Sequence, residues 1–167
     1  MRFTDSPVVE LTVPIEAPPS VVWPFVTDLD VLAQFSDEFQ GGEWLDAPAS
    51  RGVGSRFRGR NQNPRAAWEV TCTVTDWDPN RAFGWCVEDP DAPAASWRFT
   101  LDAKDGGTLL GYRASMGPGP SGVTSFIDAH PENEERIVAN RLAAWTANME
   151  STLAGIRGLA EGGPNPD

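Results

Sequence analysis

PENEERIVANRLAAWTANMESTLAGIRGLA, residues Pro131–Ala160, decides the fold. Val138, Leu142, Trp145, Met149, Leu153 and Ile156 recur every three or four positions, which puts them on one stripe of a helix. Pro131 suits the first helical position, where its missing N–H costs least. Glu132, Glu134 and Glu135 suit the positive end of the helix dipole. A helix of this length with one apolar stripe needs another layer to cover the stripe. The preceding residues supply that layer.

Upstream, Gly117-Pro118-Gly119-Pro120 is a hard stop, and Ser121–Ala129 reads as one short helix. Before the stop lies a run of strands. Thr108–Met116 places Leu110, Tyr112, Ala114 and Met116 on one face. Ser96–Ala103 alternates Trp97, Phe99 and Leu101 with Arg98, Thr100 and Asp102. Ala82–Glu88 places Phe83, Trp85 and Val87 together. Trp68–Trp77 alternates Trp68, Val70, Cys72 and Val74 with Glu69 and threonines. Ser55–Asn61 puts Phe57, Gly59 and Asn61 on one face and Arg56, Arg58 and Arg60 on the other, as a solvated face. Glu43–Leu45 is a short strand, and Asp78–Arg81 and Lys104–Gly107 are hairpin turns.

At the front, Val8–Ile15 is a β-branched strand that Pro18-Pro19 ends. Ser20 is expected to cap a short helix carrying Val21, Val22, Phe25 and Val26, with Pro24 near its first turn. A second short helix is expected over Val31–Phe35, restarted by Asp28-Leu29-Asp30. The order is strand, two short helices, strands, long helix. It predicts one α+β domain over residues 1–167, with its core at about 7–161 and a frayed tail at 162–167.

Thirteen basic residues against 24 acidic ones give a net charge of −11. That balance argues against nucleic acid and anionic membrane surfaces as partners. No apolar run reaches membrane-spanning length and no signal-peptide core precedes Val8, so the expected location is cytoplasmic. Two cysteines, Cys72 and Cys86, are too few for a disulfide framework and are expected to be reduced. With Trp77 opposite Ala82, Cys72 falls opposite Val87 and the thiols point to opposite faces.

The only histidine is His130, so no paired-histidine metal site exists. Gly52-x-Gly54 runs into a strand where a dinucleotide fingerprint needs a helix, and no Gly-x-Ser-x-Gly elbow is present. Neither a metal nor a cofactor is expected. The expected ligand wall is apolar: Phe35, Phe57, Trp68, Trp85, Trp97, Phe99, Leu142 and Trp145. The competing role for each ring is plain core packing. Asn61 and Tyr112, the only tyrosine, are the polar handles. Tyr112 is the one catalytic candidate, as a donor to a developing oxyanion. A base would then have to reach in from Glu88, Asp128 or His130.

Three segments carry a resemblance: IEAPPSVVW at Ile15–Trp23, GVGSRFRGRN at Gly52–Asn61, and NMESTL at Asn148–Leu153. On them the chain resembles the START/Bet v 1-like superfamily, SRPBCC, and within it the actinobacterial polyketide cyclase/dehydrase-like proteins. The resemblance covers roughly residues 7–161. It implies a helix-grip fold, a curved antiparallel sheet of about seven strands around the C-terminal helix, with a cavity between the layers. The superfamily spans carriers, receptors, chaperone activators and cyclases, so the resemblance implies fold more narrowly than activity. The leading expectation is a binder of a small apolar or aromatic metabolite, lipid- or polyketide-like. The rivals are a cofactor-independent polyketide cyclase or dehydratase, and a protein-interaction module with a filled core. Homodimerisation through an open sheet edge is left open.

Overall fold

Alternating apolar residues build seven strands, and the helical stripes cover them. The computed structural model describes residues 1–162. The tail expected at 162–167 therefore lies, from 163 onward, outside the described residues. The chain runs β1 (Val8–Ile15), α1 (Pro19–Val26), α2 (Leu29–Gln34), β2 (Phe39–Trp44) and β3 (Arg56–Gln62). Then follow β4 (Ala67–Asp78), β5 (Ala82–Val87), β6 (Ala95–Lys104), β7 (Gly107–Met116), α3 (Gly122–Ala129) and α4 (Glu134–Ala160). This is the expected α+β helix-grip fold.

The sheet has seven strands in the order β1-β7-β6-β5-β4-β3-β2, every neighbouring pair antiparallel. β1 and β2 are its edges. Helix α4 lies along β1 and β7, with α1 and α3 packed against it. Val138, Trp145, Met149, Leu153 and Ile156 of its stripe are buried, and Leu142 is half-buried. Burying a large apolar side chain contributes about 1.5–3 kcal/mol, so this stripe, more than helix propensity, holds α4 in place.

Local chemistry moves three boundaries. Pro18 occupies the N-cap of α1 and Pro19 its first position, so Ser20 lies inside the helix and caps nothing. The two prolines already fix the backbone for a helix start. Pro24 consequently falls in the second turn. The carbonyl it leaves without a partner belongs to exposed Ser20, which water can reach. Asp28 starts α2 two residues earlier than expected, its carboxylate accepting from the N–H groups of Asp30 and Val31. Pro131–Asn133 form a separate 3-10 turn, and α4 begins at Glu134.

The β4–β5 hairpin shows a compensated slip. Trp77 pairs with Phe83 and Asp78 with Ala82, one residue away from the expected register. A bulge between Val74 and Asp76 absorbs the difference, and Cys72 still faces Val87. The bulge also reverses the alternation beyond Val74. Trp77 therefore turns inward, with its ring 5.5 Å from that of Phe83 and 5.3 Å from that of Trp23.

Candidate functional site

The strand registers arrange the inner face in rows. One row reads Val74, Trp85, Trp97, Ala114 and Val9. The next reads Trp77, Phe83, Phe99, Tyr112 and Leu11. Cross-strand pairing sets these rings side by side, as sheet geometry requires. Phe99 stacks on Tyr112 at 3.9 Å and 13°, and Trp85 lies parallel to Trp97 at 6.3 Å and 13°. Ala114 is the small residue of the first row. Trp145 comes down from α4 onto this part of the sheet and meets Trp97 at 4.9 Å. Trp97 also touches Tyr112 at 5.7 Å, so it contacts both.

Phe57, Trp85, Trp97, Phe99, Tyr112, Leu142 and Trp145 thus share the layer between sheet and helix. Phe57 joins them through Trp85 at 6.0 Å. Trp97 and Leu142 are half-buried and the other five are buried. The rings themselves occupy this layer. Two surface hollows lie elsewhere, one beside Arg2 and Glu132–Arg136, the other between β1 and α4 at Leu11, Val13 and Arg157. Neither is lined by Trp97, Trp145 or Tyr112.

Three expected wall residues stand apart. Asn61 and Trp68 pair with each other near the β3–β4 turn, beyond the end of β5. Both are half-buried, and Trp68 makes none of the ring contacts described above. Phe35 belongs to the segment joining α2 to β2. A Cβ built on Gly155 of α4 would overlap ring carbons Cγ, Cδ1 and Cδ2 of Phe35, so the ring lies directly on that glycine. The same segment is fixed twice more. The Asp37 N–H donates to Asn148 Oδ1 at 2.9 Å, and Arg141 clasps the Glu38 carboxylate with two bonds of 2.6 Å. Arg141, Asn148 and Gly155 are seven residues apart, two helical turns each, and so form one strip of α4. The sequence alone did not single out this strip. The i, i+7 repetition of Arg, Asn and Gly was its only signal.

Polar chemistry in the layer is sparse. Among the described residues the buried polar ones are Ser55, Thr108 and Thr152. Each hydroxyl donates to a backbone carbonyl: Ser50, Ala17 and Asn148 respectively. Trp145 Nε1, by contrast, is buried with no hydrogen-bond partner among the described residues. The Tyr112 phenol is raised well above its ordinary value, and burial is the sole cause. Glu88, Asp128 and His130 are all exposed, and His130 ends α3. The layer therefore contains hydrogen-bond donors but, among the described residues, no acid–base partner for Tyr112. Both cysteines are free and buried, and burial raises both thiols. Among the described residues no cluster of three or more His, Cys, Asp or Glu side chains is placed to hold a metal. No described helix is long and apolar enough to cross a membrane.

Comparison with solved structures places this geometry in a known group. The chain is similar to the Polyketide_cyc-like protein Cgl2372 of Corynebacterium glutamicum, at 29% identity and a TM-score of 0.65 over 92% of this chain and 91% of that one. It shares the fold of the Zhui aromatase/cyclase of Streptomyces sp. R1128 at 20% identity and a TM-score of 0.68, over 93% of each chain. It also shares the fold of the di-domain ARO/CYC BexL of the BE-7585A biosynthetic pathway, at 16% identity and a TM-score of 0.72, over 95% of this chain and 51% of that one. No curated protein sequence matched. The family profile described as polyketide cyclase / dehydrase and lipid transport matches residues 6–158. With nearly the whole chain matched and the helix-grip sheet in place, this protein belongs to the polyketide cyclase/dehydrase and lipid transport family.

Proposed function

We propose that the chain binds a small, flat, apolar molecule between the inner face of the sheet and α4. The observation that carries this reading is the continuous aromatic floor of the two inner rows, with α4 laid over it and Trp97 half-buried at its margin. Such a surface gains from stacking against any planar apolar body. Family membership and the likeness to an aromatase/cyclase support a polyketide-like or lipid-like ligand. Because rings occupy the layer, binding requires Trp97 and its neighbours to part. Binding, as opposed to turnover, fits the absence of a base near Tyr112 among the described residues. The reading needs neither metal nor cofactor.

One observation favours a second reading. The tight ring contacts around Trp97 are also what a filled core looks like, and a filled core would leave the protein to act through its surface. Native mass spectrometry of freshly purified protein, with a titration of indane followed on the tryptophan indole N–H signals, separates the two. Retained small molecules, or saturable shifts at Trp97 and Trp145, support ligand binding. An apo mass together with unmoved indole signals would refute it in favour of the filled core.

A further inference from the structure

The two free edges of the sheet are built differently. β2 is bulged between Phe39 and Gly41, carries Gly41 at a φ of 124°, and has α2 packed against it. Bulges and covering elements blunt an edge. β1 keeps one unbroken register with β7 from Val8 to Ile15. The Met116 N–H donates to the Pro7 carbonyl, so odd-numbered residues of β1 aim their backbone groups at β7 and even-numbered ones aim away. Val8, Glu10 and Thr12 thus turn both N–H and C=O to the open side, and Pro14 turns only a C=O. Pro14 sits where a missing N–H breaks no bond to β7.

A hollow runs along this open row, lined by Leu11 and Val13 of β1 and by Leu153, Ala154 and Gly158 of α4. The Phe3 N–H donates to Glu134 and the Glu16 N–H to Glu161, so α4 runs parallel to β1. The exposed side of α4 is small here: Ala147, Ser151, Ala154 and Gly158 follow at steps of three or four residues. Small side chains let a second helix approach closely.

One more strand completes such an edge, and β1 is its own match. Two copies paired antiparallel about a two-fold axis at Leu11 set Leu11 against Leu11 and Val9 against Val13 on the inner face. On the outer face they set Glu10 against Thr12 and Val8 against Pro14. Each Glu10–Thr12 pair exchanges two backbone hydrogen bonds, and the N–H that Pro14 lacks is missed only at the two ends. An axis at Glu10 would instead oppose two carboxylates. With the axis at Leu11, Glu10 keeps its own partner Arg113, at 2.7 Å, and meets a neutral threonine. We propose that β1 is the docking edge for a second copy of this chain, paired antiparallel about Leu11. The two sheets become one, with both α4 helices side by side on the same face.

The test uses the full-length protein under reducing conditions, followed by sedimentation velocity from micromolar to millimolar concentration. A reversible dimer is expected. Thr12→Pro removes an N–H that β7 does not use, so association should weaken by about tenfold or more with the circular-dichroism spectrum unchanged. Disulfide trapping then reads the register. Leu11 residues on the axis form a non-hydrogen-bonded pair with Cα atoms about 4.5 Å apart, within disulfide reach. Under mild oxidation Leu11→Cys should cross-link at least about tenfold faster than Thr12→Cys, although Thr12 is the more exposed residue. The native cysteines are both buried and do not compete. The trapping comparison keeps the test decisive if Thr12→Pro folds poorly. A monomer at every concentration would overturn the proposal and leave the edge to a strand from a different protein. A dimer that Thr12→Pro leaves intact, or one in which Thr12→Cys cross-links as fast as Leu11→Cys, would overturn it in favour of another surface or register.

Discussion

Gly155 offers a test in which local helix physics and tertiary packing predict opposite signs. Within a helix, Gly→Ala is worth about 0.8–1 kcal/mol in favour of alanine. At Gly155 the added methyl would overlap the Phe35 ring near its root, so a tip movement cannot relieve the clash. Overpacking of this kind costs about 1–3 kcal/mol. Gly155→Ala is therefore expected to destabilise by about 1 kcal/mol net, lowering Tm by about 2–4 °C for a chain of this size. Gly158 lies in the same helix with nothing within 4 Å of its built Cβ. Gly158→Ala is expected to stabilise by about 0.5–1 kcal/mol, reduced by its place in the last turn. In a Phe35→Ala background the Gly155→Ala effect should change sign, a coupling of about 2 kcal/mol. Urea unfolding followed by far-UV circular dichroism measures all of these. If Gly155→Ala stabilises the native chain as much as Gly158→Ala does, Phe35 does not anchor the α2–β2 segment. It would then again be free to serve as a ligand wall.

Tyr112 is the only tyrosine, so absorbance reports its ionisation without ambiguity. Its phenol is raised above the ordinary 10.0 by burial, so the folded state holds its proton while the unfolded state releases it. The unfolded chain binds fewer protons above pH 10, and the stability present below that pH should fall as pH rises further. The two raised thiols act in the same direction, and their window opens near 9.0. Tyrosinate absorbance should appear only together with loss of the circular-dichroism signal; its appearance near pH 10 in a folded chain would mean that Tyr112 is solvated. Neither cysteine should react with a thiol reagent before unfolding, and a rapid native reaction of one thiol equivalent would contradict their burial. Arg141→Ala should cost about 1 kcal/mol, because the half-buried Glu38 pair is bidentate, and denaturant unfolding should show most of that cost disappearing in Glu38→Gln.

Apolar spacing along the chain dictates the layers. Period-two apolar residues from Phe57 to Met116 marked the strands, and the stripe from Val138 to Ile156 marked the covering helix, because burial on one face imposes that spacing. It also determined that Trp85, Trp97 and Trp145 would face the same layer, since side-chain facing follows from alternation alone. What it left undecided depends on contacts between distant segments. The bulge at Thr75 that turns Trp77 inward adds one residue to a strand without altering its composition. Trp68 and Asn61 have the correct facing but lie past the end of β5, and facing says nothing about position along the sheet. Phe35 reads as a ligand-wall residue until Gly155, 120 positions later, is brought beneath its ring. The missing partner of Trp145 Nε1 is likewise a property of packing. A donor is orphaned only when tertiary structure removes the water and supplies nothing in its place.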